Sequence, residues 1–180
     1  MQVSKFIIYF VFQSTFINIV RLTHPLIRTV RLWLIFFIAA LLLSGLTAFP
    51  IESELDWICS WWPEQESAFY TWLWNNYTAI KMTNEQFPSL AYGYDWLAFA
   101  HIVIAIAFTG AYKDPLRNIW IFQFGMISCM LIIPLALIAG PVRGIPWFWQ
   151  LIDISFGVFG IIPLFICYRK MKRLEKMKVI

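Results

Sequence analysis

Asp95, His101, Arg143 and Asp153 are the ionisable side chains that stand in or beside apolar sequence, and they set the chemistry open to this chain. A carboxylate taken out of water needs a donor or a counter-charge, and at that depth only imidazole and guanidinium are on offer. Asp95 and His101 are six residues apart, about 9 Å along a helix and about 120° around it, so they do not pair directly. His101 instead shares a stripe with Ala98, Ala105 and Thr109, while Asp153 precedes Gly157 by one turn, with Gly160 nearby. Faces of small residues let helices approach closely. If the two faces meet, Asp153 comes to His101, and Arg143 reaches down to either carboxylate. Tyr92, Tyr94, Asp95 and Trp147 then form a rim. Such a group either locks helices together or lines a pocket that binds an amphipathic molecule or relays a proton.

The elements that carry these residues are four apolar runs, 32–49, 96–112, 119–140 and 147–168. Each is long enough, or nearly so, to cross a hydrocarbon core about 30 Å thick at about 1.5 Å per helical residue. Lipid offers the backbone no hydrogen bonds, so the spans must be helices, and their continuity argues against alternating barrel strands. The expected fold is all-α: one membrane domain over 1–180, a polytopic bundle of four helices. Hydrophobic residues at 61% and charged ones at 13% agree with that class, against about 25% charged in soluble domains.

The net charge of +4 raises the question of a nucleic-acid partner, but its placement argues for topology. All of the 14 Lys and Arg except Lys81 and Arg143 precede the first run, fill the turn after the second or belong to the tail 169–180. Glu52, Glu54, Asp56, Glu64, Glu66 and Glu85 lie on the other side. The positive-inside pattern puts both termini in the cytoplasm, in a bacterial inner membrane, and segment 51–93 outside. Basic tail residues then touch anionic headgroups, so membrane lipids are expected partners and nucleic acid is not.

Between the runs, residues 6–20 are apolar but short and polar in places, within a segment 1–31 expected to be cytoplasmic or interfacial, not a fifth span. The outer loop 51–93 is rich in Trp and Tyr, as suits the headgroup zone. Pro63 followed by Glu64, Gln65 and Glu66 reads as a helix start, with Phe69, Trp72, Leu73, Asn76 and Ile80 then at helical spacing. Asp114-Pro115 reads as the cap and first turn of the third span, and Gly144-Ile145-Pro146 serves the fourth. Pro134 and Pro163 fall inside their spans, each removing a backbone hydrogen bond.

Cys59, Cys129 and Cys167 form no disulfide framework, and no metal-ligand spacing or nucleophile–base pair occurs, so no catalytic residue, metal or cofactor is assigned. His24 lies at the far end from His101, against bis-histidine haem. No span carries a continuous polar stripe, against a channel.

The run from Tyr92 to His101, with Arg143-Gly144-Ile145-Pro146 and Leu151-Ile152-Asp153, resembles a small family of bacterial four-helix integral membrane proteins. That resemblance covers spans two to four and implies an architecture, not a reaction. The layout is also similar to the sterol-isomerase and sigma-2-receptor superfamily, which implies four spans, a long first loop and an acidic pocket. Spans two and three hold no Glu to match that pocket's carboxylate; His101 occupies the region instead. The sequence therefore favours a pocket in the outer leaflet, between spans two, three and four, for a lipid-like ligand. The second reading is an accessory subunit of a larger membrane complex, with the polar group purely structural.

Overall fold

A computed structural model describes residues 25–61 and 67–177. Among them are six helices and no strand: α1 (Pro25–Ala48), α2 (Ile51–Trp61), α3 (Ala68–Gln86), α4 (Pro88–Lys113), α5 (Ile119–Val142) and α6 (Trp147–Lys176). Four of them, α1, α4, α5 and α6, are long and apolar enough to cross a membrane. Even the shortest has 24 residues, about 36 Å, which exceeds the hydrocarbon thickness. Their outward faces are apolar too, with Ile127, Leu131, Leu135 and Ile138 of α5 exposed at helical spacing. In a soluble protein such a stripe would be covered; on a spanning helix it meets acyl chains. The chain is a helical membrane protein.

All four spans extend beyond the apolar runs that suggested them: the first begins at Pro25 rather than 32, taking in the end of the segment expected to be cytoplasmic or interfacial, and the third reaches Val142. The second begins at Pro88 rather than 96, because a Pro in the first turn is compatible with a helix and Tyr92-Gly93-Tyr94 continues it. The fourth runs on to Lys176, carrying the basic residues of the tail on a continuous helix. Segment 51–93 is largely helical. Its α3 begins at Ala68, where Ser67 accepts a hydrogen bond from the Tyr70 N–H at 3.1 Å. The start expected at Pro63–Glu66, the interfacial helix expected over 6–20, and His24 lie outside the described residues.

Contacts divide the described residues into two compact units, one within 25–37 and 108–177 and the other within 38–107. The core of the first is built from Ile27, Val30, Leu34, Phe108, Phe122, Leu164, Met171 and Leu174, all at most 3% exposed. α5 and α6 run antiparallel through close approaches. A Cβ on Gly157 would stand 2.6 Å from the Cys129 carbonyl oxygen, and one on Gly125 would stand 2.7 Å from Leu164. At the other end, Arg31 donates to the Tyr112 and Lys113 carbonyls at 3.2 and 3.4 Å, and its guanidinium lies 5.6 Å from the Tyr112 ring centre. A cation there answers the orphan carbonyls and negative dipole end of α4.

Asp114 does not cap α5. Its carboxylate accepts from the Arg117 N–H at 3.2 Å, closing a turn, and α5 starts only after Asn118, whose side chain donates back to Gly110 and Asp114. Pro115 sits in that turn and delays the helix by four residues. The α5–α6 turn is tighter still. Gly144 adopts φ +67°, its N–H reaches the Pro141 carbonyl at 3.1 Å, and the Ile145 N–H reaches Gly140 at 2.9 Å. This is a Schellman closure, in which a left-handed glycine just past the helix end answers two orphan carbonyls. Gln150 then reaches back from α6 to the Ile145 carbonyl at 2.7 Å and packs against Gly140.

In the second unit, α2 and α3 form an antiparallel hairpin around Cys59, Leu73 and Tyr77, with Leu55, Ile58 and Phe69 packed on them. The Tyr77 hydroxyl donates to Asp56 at 2.7 Å, and Asn84 donates to Glu52, so polar links brace the apolar seam. In the same unit, α1 and α4 meet at Gly45, where a Cβ would lie 2.8 Å from the Ala98 carbonyl oxygen and 3.1 Å from His101 Cβ.

Candidate functional site

Helical spacing on α4 puts Tyr92, Asp95, Trp96 and Phe99 on one face, since residues three, four and seven apart lie one above the other. Phe49, just past the end of α1, completes an open cleft of about 320 Å³ lined by these five residues. Trp96 is in edge-on contact with Tyr92 at 6.0 Å and with Phe99 at 6.1 Å between ring centres. Edge-to-face pairs of this kind hold aromatic rings in fixed orientations. Asp95 is half-buried and is the one acid among these rings. The ion pairs among the described residues, Arg117–Asp114 and Lys172–Glu175, do not involve it. The cleft therefore presents apolar walls and a single anionic oxygen pair, a combination suited to holding an amphipathic molecule by its head.

The seven residues singled out from sequence fall into groups. Asp95 and Tyr92 share the cleft. Tyr94 and His101 lie on the same helix but do not line it: Tyr94 is exposed, and His101 turns its Nδ1 to the Leu97 carbonyl at 2.9 Å, one turn back. Arg143, Trp147 and Asp153 belong to the other unit. Arg143 is the exposed C-terminal cap residue of α5, its N–H bonded to the Ala139 and Gly140 carbonyls. Trp147 opens α6 and is 72% exposed. Asp153 is half-buried in α6, on the side that Gly157 turns toward α5.

The small-residue faces find partners other than those expected. The face holding Ala98 and His101 receives Gly45 of α1, and the Gly157–Gly160 face receives Cys129 of α5, whose sulfur would lie 2.8 Å from a Cβ on Gly160. Both are genuine close-approach faces, each filled within its own unit.

Sequence reasoning missed Phe49, Trp96 and Phe99 as lining residues. Their signal is the spacing Tyr92, Asp95, Trp96, Phe99, which becomes a helix face only once the helix is begun at Pro88. Starting the span at 96 cut that face in two. No group of three or more His, Cys, Asp or Glu among the described residues is placed to hold a metal ion.

Comparison of the chain with family models, with curated proteins and with solved structures gives no match.

Proposed function

We propose that this integral membrane protein binds a lipid-like, amphipathic molecule in the α1–α4 cleft, its polar head against Asp95 and its apolar part against the aromatic walls. The supporting observation is the lining itself: one carboxylate among Phe49, Tyr92, Trp96 and Phe99. The charge asymmetry of the sequence supports a cleft in the outer leaflet of a bacterial inner membrane, with both termini in the cytoplasm. The chain is read as a binding protein, without an assigned reaction.

Native mass spectrometry of protein extracted with its own lipids tests this reading. A bound amphiphile retained by the wild type and lost in Trp96→Leu supports it. A protein that carries no such species, or carries it equally well in Trp96→Leu, refutes it.

The accessory-subunit reading draws on a different feature. Trp57 and Trp61, 5.8 Å apart between ring centres, and Trp74 are exposed on the α2–α3 hairpin. Aromatic anchors of this kind are frequent in protein interfaces. Recovery of the wild type in a larger complex that Trp57→Ser with Trp61→Ser disperses favours that reading over the binding protein.

A further inference from the structure

We infer that the cleft selects a quaternary ammonium head group carried on a single acyl-type tail. Asp95 supplies the counter-charge, and the rings of Tyr92, Trp96, Phe99 and Phe49 supply the walls. The inference rests on the amphipathic-ligand reading above and adds to it the sign and shape of the head.

Three observations carry it. Asp95 faces the cleft with none of the described cations in ion-pair contact with it. The walls are aromatic, and Trp96 stands nearly perpendicular to both Tyr92 (77°) and Phe99 (88°), so ring faces are turned in more than one direction. Ring faces attract cations, and a carboxylate beside several of them suits an alkylated ammonium, which has no N–H to satisfy and a weakly hydrated surface. The net charge of the segment that carries the cleft has the same sign. Acidic residues of segment 38–107 outnumber the basic ones, of which Lys81 is the sole example, and Lys81 stands over the Tyr77 ring at 5.9 Å. An anionic head would meet that field unfavourably, and a neutral one would gain nothing from it.

The tail follows from size and from the helix. A cleft of about 320 Å³ holds a head group rather than a whole double-tailed lipid, small-molecule sites running to about 1,000 Å³. Beyond Phe99 the same face of α4 continues as Val103 and Ile106, both exposed and apolar. That row gives an acyl chain a track along the spanning helix.

Isothermal titration of the full chain in neutral maltoside micelles, corrected for uptake by empty micelles, tests the inference. The probes are decyltrimethylammonium, decyl sulfonate, decanoyl-N-methylglucamide and tetramethylammonium. The expected result is saturable binding of decyltrimethylammonium, at least about tenfold tighter than of the glucamide, and weakened about tenfold by Asp95→Asn. An unchanged melting temperature in Asp95→Asn shows that folding is intact, and His101→Gln should leave the affinity as it was. Equal affinity for the three tailed probes, abolished by Trp96→Leu, would overturn the head-group inference and leave the amphipathic-ligand reading standing. No saturable binding of any tailed probe would remove both. Decyltrimethylammonium binding untouched by Asp95→Asn, or tetramethylammonium binding as tightly, would overturn the assignment of the head to Asp95 or of the tail to the α4 track.

Discussion

Tyr77 on α3 donates its phenolic hydrogen to the Asp56 carboxylate on α2 at 2.7 Å, directly beside the buried Cys59 and Leu73 that close the hairpin. The phenol must be neutral to make this bond. The hydrogen bond to Asp56, then burial, then the Asp56 charge push the Tyr77 pKa above its ordinary value, with Lys81 opposing in part.

A raised pKa of an acid means that the folded hairpin holds the proton more tightly than the unfolded chain. Its stabilising contribution is therefore complete below the ordinary tyrosine pKa near 10 and is lost as pH rises through the folded value. Melting of the wild type should fall steeply above about pH 10. Tyr77→Phe should start less stable at neutral pH and show a shallower decline. Parallel pH profiles for the two proteins would mean that the bond does not stabilise the hairpin.

Gly157 and Gly93 should respond oppositely to alanine. At Gly157 the new methyl meets a backbone oxygen 2.6 Å away, which cannot swing aside, so a loss of about 1–3 kcal/mol is expected. At Gly93 nothing lies within 4 Å, and a helical Gly→Ala change should gain about 0.5–1 kcal/mol. Thermal unfolding in one detergent ranks the pair against wild type.

The α5–α6 turn offers two graded substitutions. Gly144→Ala forces a Cβ into φ +67°, at a cost of about 1–2 kcal/mol. Gln150→Ala removes the 2.7 Å bond to the Ile145 carbonyl, a loss of about 1 kcal/mol. Gly144→Asn should be milder than Gly144→Ala, because asparagine tolerates the left-handed region. Denaturation midpoints would order the three, and equal effects of Ala and Asn would argue against backbone strain as the cause.

Orientation can be read by labelling intact cells with an impermeant maleimide. Cys59 is a poor reporter, because burial first and the Asp56 charge second raise its pKa and keep the thiol protonated. Ser60→Cys places a thiol on the exposed neighbouring position, and Lys176→Cys does so at the other end. Labelling at 60 without labelling at 176 is expected; the reverse pattern would invert the proposed topology.

The four spanning helices were legible because lipid leaves a chain few options: long apolar runs must be helical, and the polarity breaks at Pro50, Asp114 and Gly144 fall where helices end or pause. Their starts were less legible. Proline opens a helix as readily as it ends one, so Pro88 begins α4 although Pro115 only tightens a turn. The α2–α3 hairpin was hidden because its links, Asp56 to Tyr77 and Glu52 to Asn84, join residues far apart in sequence with no periodic signature. For the candidate site, the ionisable residues stood out one by one, but their grouping depended on which small faces meet. Small residues announce that some neighbour comes close without saying which, and Gly45 and Cys129 took the places that sequence had given to other helices.

The Schellman closure at Gly144, with Gln150 folded back on it, bears on how the chain is made as well as on how it stands. A ribosome delivers α5 and α6 in succession, and the connector between them is too short to remain in water while one arm waits for the other. With the turn carbonyls of Gly140, Pro141 and Ile145 answered locally, the two arms can leave the translocation machinery together as one preassembled hairpin. Its seam at Gly157 and Cys129 lies wholly between these two arms, so it needs no third helix to close.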